Sequence, residues 1–327
     1  MLSTKEQPET DLQFQFYGLT LRCPRCGAPL PAEPAMSYRA CDSCSFQLLR
    51  RDGIWRALPA EREQYYAQFV ADYERIRTAE GRGSESSSYY LALPYRDLSE
   101  KNSLQWTIRR RTYEYFLDHI LPEILATGGA GARVLDAGAG NGWFSYRLAM
   151  MGLRPVAVDL LVNQQDGLGA ARHFEEHLPT MFPRFQAEST HLPFGPALFD
   201  AVIFNASLHY AENYTATLLE ALRCLKAGGM IVVADSPWYS KEASGERMVA
   251  ERQAAFLSRY GTRSDSIRSQ EFLTDERLDD LEVQLGLRWR RHTPSYGVRW
   301  AMRPWIARLR GRREPARFRI YTARKLA

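Results

Sequence analysis

Apolar positions along the chain fall into two alternating rhythms. Short apolar runs end on a polar or acidic residue at Val134-Leu135 before Asp136, at Val156-Ala157-Val158 before Asp159, at Ala201–Phe204 before Asn205 and at Met230–Ala234 before Asp235. Runs of this length read as buried strands. Between them, apolar residues recur every three to four positions, the period of one helix face. Tyr66, Phe69, Tyr73 and Ile76 give such a face to a helix over Glu61–Glu80, and this aromatic stripe reads as packing surface. Further helices are predicted over Leu104–Ile120, Trp143–Ala149, Leu218–Lys226, Glu246–Tyr260 and Asp275–Leu285, the third of these ending on Gly228-Gly229. Leu287–His292 and Phe318–Ala323 alternate apolar and charged residues, as a closing pair of strands would. Strands alternating with helices predict an α/β fold, a doubly wound, mostly parallel seven-stranded sheet covered on both faces.

The turn after the first of these strands departs from both rhythms. It reads Asp136-Ala137-Gly138-Ala139-Gly140-Asn141-Gly142-Trp143, with glycines at alternate positions. Glycine permits positive φ and leaves backbone bare, so a ligand can lie against it, and the N–H groups opening the next helix suit an anion. A dinucleotide fingerprint needs a third glycine where Trp143 stands. Asp159, at the tip of the second strand, follows Asp136 by 23 residues, a placement from which an acid accepts both hydroxyls of a ribose.

Four of the five cysteines form two pairs, Cys23-Pro24-Arg25-Cys26 and Cys41-Asp42-Ser43-Cys44, with fourteen residues between them. Two such knuckles aim four thiolates at one ion, which is the spacing of a tetrahedral zinc site. With sulfur at every position nothing is left open to substrate, so the zinc is expected to be structural. The segment resembles a zinc ribbon, whose small core Leu21, Phe46, Leu48, Leu49, Ile54 and Trp55 would supply.

Charge adds one asymmetry. From Arg288 to Ala327 there are thirteen basic residues against one acid, Glu314; this net +12 within a chain of +5 leaves the rest at −7. A basic tail on an acidic body suits RNA or a membrane surface, or is neutralised by the body itself. Val298–Arg310 mixes tryptophan with arginine, and Pro304 limits it to short helical pieces. No apolar run approaches the ~18 residues of a membrane span. The first sixteen residues, MLSTKEQPETDLQFQF, show no basic-then-apolar leader. A cytoplasmic chain is the expectation.

The pattern D-x-G-x-G-x-G at Asp136–Gly142 resembles the first motif of class I S-adenosylmethionine (SAM) methyltransferases, a Rossmann-like fold. Phe199-Asp200-Ala201-Val202, Asn205-Ala206-Ser207-Leu208-His209 and Leu225-Lys226-Ala227-Gly228-Gly229-Met230-Ile231-Val232-Val233 resemble the type 11 methyltransferase family. The resemblance covers about Leu104 to Ala234. It implies SAM as cofactor, held by Asp136, Gly138, Gly140, Gly142, Asp159 and Asn205. Phe185–Phe194 is similar to the family's G-D-A-x-x-L-P-F segment, with Glu188 at the acid that meets the adenine amino group and Ala187 in place of the glycine. It further implies that an aromatic or an arginine among Trp106 and Arg109-Arg110-Arg111 meets the methionine carboxylate. The stretch 236–272 would roof the acceptor pocket, and His209 is the first candidate for a catalytic base.

The expected division is therefore a zinc ribbon over 1–58, a connector over 59–103 and a methyltransferase domain over 104–327 with the insertion at 236–272. A small-molecule acceptor, such as a lipid or secondary metabolite, is the favoured substrate. An RNA methyltransferase gripping nucleic acid by ribbon and tail is the alternative, and a non-catalytic SAM-binding regulator is a third. The ribosomal-RNA guanine methyltransferases also begin with a zinc module, but theirs typically includes a histidine where this chain has cysteine.

Overall fold

The strand that carries Asp136 lies at the middle of the sheet. In a computed structural model describing residues 18–31 and 38–326, β1 (Tyr38–Ala40), β2 (Gln47–Arg51) and β3 (Ile54–Arg56) lead into helices α1 (Ala60–Ala79), α2 (Ser87–Ala92), α3 (Ser103–His119) and α4 (Leu121–Gly128). Then come β4 (Arg133–Ala137), α5 (Trp143–Met150), β5 (Arg154–Asp159), β6 (Arg184–Gln186), β7 (Phe199–Asn205), α6 (Tyr214–Cys224) and β8 (Leu225–Ala234). The chain closes with α7 (Glu242–Tyr260), α8 (Asp275–Leu285), β9 (Arg290–His292), α9 (Val298–Ala301), α10 (Arg303–Leu309) and β10 (Ile320–Arg324). The sixteen N-terminal residues lie outside the described residues.

The sheet order is β1-β2-β3-β6-β5-β4-β7-β8-β10-β9, so among the described residues the sheet has ten strands and not the expected seven. Seven of them, from β6 to β9, are the predicted set. The other three come from the cysteine-bearing segment, which was read as a separate module. β3 pairs in parallel with β6, Trp55 opposite Phe185, and covers an edge that would otherwise present unpaired backbone groups. A second seam forms where Arg22 N–H donates to Pro193 O at 3.0 Å and Gly195 N–H to Thr20 O at 2.8 Å.

Alternation along the buried strands builds two cores, one on each face. Leu135, Val156, Val202 and Ile231 face one side, where Leu48, Trp55 and Phe46 of the cysteine segment join them. Val134, Ala157, Ile203 and Val232 face the other, against Trp106, Phe144 and Phe174. Fully burying one such side chain contributes about 1.5–3 kcal/mol.

The end of α6 differs from the expectation. α6 ends at Cys224, and Gly228-Gly229 lie inside β8 rather than capping a helix. Leu225 is already extended because it pairs with Phe199, and an irregularity between Phe199 and Ala201 absorbs the extra residues.

Candidate functional site

All three glycines of the turn after β4 take positive φ: 81° at Gly138, 55° at Gly140 and 79° at Gly142. A Cβ at Gly138 would lie 2.2 Å from Cβ of Ser207, so that position excludes any side chain. At Gly140 a Cβ would meet only Asp166 O at 3.5 Å, so there the backbone borders open space. The turn is anchored to β5: Gly138 and Ala139 N–H both donate to Val158 O, and Gly140 N–H donates to Asp159 Oδ2 at 2.7 Å.

Beside this turn, at the carboxyl ends of β4 to β7, lies a cavity of about 420 Å³. Asp136, Gly138, Gly140, Asp159, Glu188 and Asn205, expected from sequence to hold a cofactor, all border it. Gly142 does not; it opens α5 in a left-handed conformation instead. Asp136 is buried, takes a hydrogen bond from Ser145 Oγ on Oδ2 at 2.7 Å, and leaves Oδ1 without a partner among the described residues. Burial pushes its carboxyl up to about 7, against the Ser145 hydrogen bond, while the nearby Asp159 charge adds to the rise. Asp159 accepts Leu161 N–H on Oδ1 at 2.8 Å, and burial raises it to about 6 against the backbone hydrogen bonds of Leu161 and Gly140.

Of the three clustered arginines, only Arg109 borders the cavity. Arg110 pairs with Glu114 at 2.7 Å and Arg111 donates to Ser295 O at 3.1 Å. Arg109 stacks over Trp106 at 5.0 Å and has no ion-pair partner among the described residues. A half-buried guanidinium at a cavity wall without a carboxylate is costly unless a ligand supplies one.

The aromatic stripe of α1 does more than pack. Tyr66, Phe69 and Tyr73 form a wall of the cavity, with Arg62 and Arg77 on the same face. Phe69, Tyr73 and Tyr210 contact one another with ring centroids 5.7–6.3 Å apart. Among the contacts that hold α1 in place are Arg62 on Glu188, Tyr65 OH on Glu212 at 2.6 Å, Arg77 on Asp166 at 2.6 Å, and Asn163 Nδ2 on Glu74 at 2.7 Å. Sequence reading missed this wall. Its signal was the placement of Arg62 and Arg77 at helical spacing on the same stripe. The 236–272 insertion, expected to be the roof, contributes Ile267 to the lining.

Glu188 borders the cavity with its carboxylate already engaged. It takes Arg62 Nε at 2.9 Å, Arg62 Nη2 at 2.7 Å and Tyr66 OH at 3.0 Å. His209 stands apart from the cavity, which its neighbours Leu208 and Tyr210 border. Its imidazole is buried with Nδ1 3.3 Å from Ser236 Oγ, and burial pulls it down to about 4, leaving an uncharged ring at neutral pH.

A second cluster lies at the ribbon. The sulfurs of Cys23, Cys26, Cys41 and Cys44 all fall within 4.8 Å of one another, close to the edges of a tetrahedron around one ion. Each knuckle closes with a backbone turn, Gly27 N–H to Cys23 O and Ser45 N–H to Cys41 O, both 2.9 Å.

The basic tail is divided. On and beside β9 and β10, Arg290 and Arg324 pair with Glu123, Arg291 with Asp279, and Arg319 with Asp275. Trp289 between them is buried, as the alternation predicted.

The strands and glycine turn that floor the cavity are similar to those of known proteins. Over 107 residues the chain is 34% identical to demethylmenaquinone methyltransferase of Mycobacterium tuberculosis, which is 33% of this chain and 42% of that protein. It is 34% identical over 105 residues to a ubiquinone/menaquinone biosynthesis C-methyltransferase of Rhizobium leguminosarum, covering 32% of this chain and 41% of the relative. The chain thus spans less than half the length of these curated relatives. Magnesium protoporphyrin IX methyltransferase of Synechocystis, a solved structure, aligns over 80% of this chain and 97% of its own at 17% identity with a TM-score of 0.46. Residues 135–233, which run from β4 through β8, match the type 11 family described as a methyltransferase domain.

Proposed function

We propose that the chain transfers a methyl group from SAM to a small, largely apolar acceptor of the quinol type. The observation that carries this reading is the cavity itself: a bare glycine floor with an unpaired acid oxygen at one side, and an aromatic wall of Tyr66, Phe69, Tyr73 and Tyr210 at the other. The residues present fit SAM. Asp159 would receive the ribose hydroxyls, the unpaired Arg109 the carboxylate, and Asp136 with the glycine backbone the amino-acid portion; Asn205 and Ala187 complete the border. When bound, SAM supplies an activated methyl on a sulfonium, so the protein mainly aligns the acceptor and excludes water.

The aromatic wall suits a flat ring, and the relatives named for demethylmenaquinone lend that class of acceptor. α1, with Arg62 on Glu188 and Arg77 on Asp166 at its two ends, covers one side of the cavity. On this reading the acceptor's proton does not pass to His209, which the cavity does not reach. The Cys23–Cys26–Cys41–Cys44 cluster would hold one structural zinc, whose donor set of four sulfurs leaves no open position. An RNA acceptor finds little support, because the strand arginines of the tail are neutralised by the body's own acids.

The test is acceptor partition. Purified protein is incubated with methyl-labelled SAM, a reduced naphthoquinone lacking the ring methyl, and total RNA together. Label extracted into organic solvent supports the proposal. Label retained in RNA, with none in the quinone, overturns it.

A further inference from the structure

The helical pair α9–α10 differs from the rest of the basic tail. Val298, Met302, Trp305 and Leu309 fall at helical spacing through the continuous backbone turn at Met302, where Met302 N–H donates to Val298 O and Ile306 N–H to Met302 O. Their exposures are 77%, 51%, 70% and 86%. Trp300, on the opposite side, stacks on Phe318 at 5.8 Å beneath the Arg303 guanidinium, which fixes the pair to the body. A row of large apolar side chains held out to solvent on an anchored helix marks an interaction surface.

The charges beside this row are of two kinds. Arg290, Arg291, Arg313, Arg317, Arg319 and Arg324 each have an acidic partner. Arg247, Arg299, Arg308, Arg310 and Arg312 have none among the described residues. Arg247, Arg303, Arg310 and Arg312 line a groove of about 790 Å³ between α7 and α10, bordered also by Pro237 and Tyr239, which follow the carboxyl end of β8. The groove therefore borders the edge of the sheet at which the cofactor cavity lies.

We propose that α9–α10 docks this protein on an anionic phospholipid bilayer, with Trp305 and Leu309 entering the interface and the unpaired arginines meeting lipid phosphates. An apolar ridge flanked by uncompensated cations is the pattern of an interfacial helix. RNA would account for the arginines but gives no reason for exposed valine, methionine and leucine in line with a tryptophan. The inference does not depend on which acceptor is methylated, and its test needs no turnover.

Flotation with vesicles distinguishes the occupants. The full-length protein is mixed with phosphatidylcholine vesicles, or with vesicles also containing phosphatidylglycerol, at about 0.15 M salt. The protein should float with the anionic vesicles and stay behind with phosphatidylcholine alone. Trp305→Ala with Leu309→Ala should weaken binding about tenfold. Arg247→Ala, Arg310→Ala and Arg312→Ala together should weaken it by about two orders of magnitude, at roughly fivefold each. Arg317→Ala with Arg319→Ala, whose charges are already paired, should change it little. All these positions lie outside the cavity, so calorimetric SAM binding confirms that each variant is folded. Equal flotation with both vesicles, flotation with neither, or flotation with the anionic vesicles that the apolar variant retains in full would overturn the proposal. Tight RNA binding that the apolar variant leaves intact would likewise assign the surface to nucleic acid.

Discussion

Arg62 reaches across 126 positions to Glu188 and grips it with two nitrogens, Nε at 2.9 Å and Nη2 at 2.7 Å. Glu188 is 3% exposed and Arg62 33%, so the pair sits at the boundary of the cavity with only its arginine end wetted. It ties the roof helix α1 to the tip of β6. Removing Arg62 takes the counter-charge from buried Glu188 and leaves it the hydroxyls of Tyr66 and Thr190, so Arg62→Ala should destabilise the fold by about 1–3 kcal/mol. Glu188→Gln in the same background should restore part of that loss, because the uncompensated charge is gone. Denaturant melts of the two single variants and the double variant measure it; additive losses would mean the pair is not coupled.

Asp159 and Asp136 give the ligand-free protein an acid-side signature. Both are raised from an ordinary value of 3.8, to about 6 and about 7. A carboxyl raised by folding holds its proton more tightly in the folded chain. Its contribution to stability is present below about pH 4 and lost as pH climbs through 6 and 7. Ribose hydroxyls donate to an ionised Asp159, so SAM affinity should rise with pH through about 6 and binding should release protons. Calorimetry at pH 6 in two buffers of different ionisation enthalpy reads that release. Asp159→Asn should remove it and weaken binding roughly tenfold or more. Unchanged affinity in that variant would sink the ribose assignment.

Metal loss should reach the cavity. Read as an isolated ribbon, the cysteine segment would loosen without disturbing cofactor binding. The structure connects the two. β3 pairs with β6, Ala57 N–H donates to Gln186 O at 2.8 Å, and α1 begins three residues later. Arg25, inside the first knuckle, also pairs with Glu61 in the first turn of α1 at 2.7 Å. Cys41→Ser should therefore lose zinc by elemental analysis and weaken SAM binding about tenfold as the roof loosens. Zinc loss with full cofactor affinity would show that α1 holds its place without the ribbon.

What the sequence disclosed was what neighbouring residues encode. The glycines at 138, 140 and 142 and the acid at 159 are legible because a tight turn and a strand tip each require particular residues at fixed offsets. Strand identity at Val134, Val156, Val202 and Ile231 followed from unbroken apolar runs that only a doubly covered sheet needs. The role of Tyr66, Phe69 and Tyr73 was hidden for a different reason. Periodicity reports which face of a helix is buried, never against what, and a cavity wall buries aromatics as a core does. The join of Trp55 to Phe185 was hidden for the same physical reason, since two strands 130 positions apart advertise no partner. His209 was a candidate for its place near the end of the fourth strand, and its Nδ1 lies 3.3 Å from Ser236 Oγ, while the cavity is bordered by its neighbours Leu208 and Tyr210.

Arg109 makes the sharpest claim about the cavity. It is the cation of its cluster that borders the space, burial pulls its guanidinium below the usual range, and Arg82 and Arg77 repel it further. A guanidinium in that position favours an incoming carboxylate, since charge-assisted hydrogen bonds strengthen where water is scarce. Arg109→Ala should weaken SAM by about 1.5–3 kcal/mol, tenfold or more. Arg109→Lys, which keeps the charge but loses the two-nitrogen fork, should fall between. The discriminating ligand is methylthioadenosine, which keeps the nucleoside and lacks the carboxylate. Its affinity should be unchanged in Arg109→Ala if the arginine reads the carboxylate. An equal loss for both ligands would instead show that Arg109 shapes the cavity through Trp106, over which it stacks at 5.0 Å.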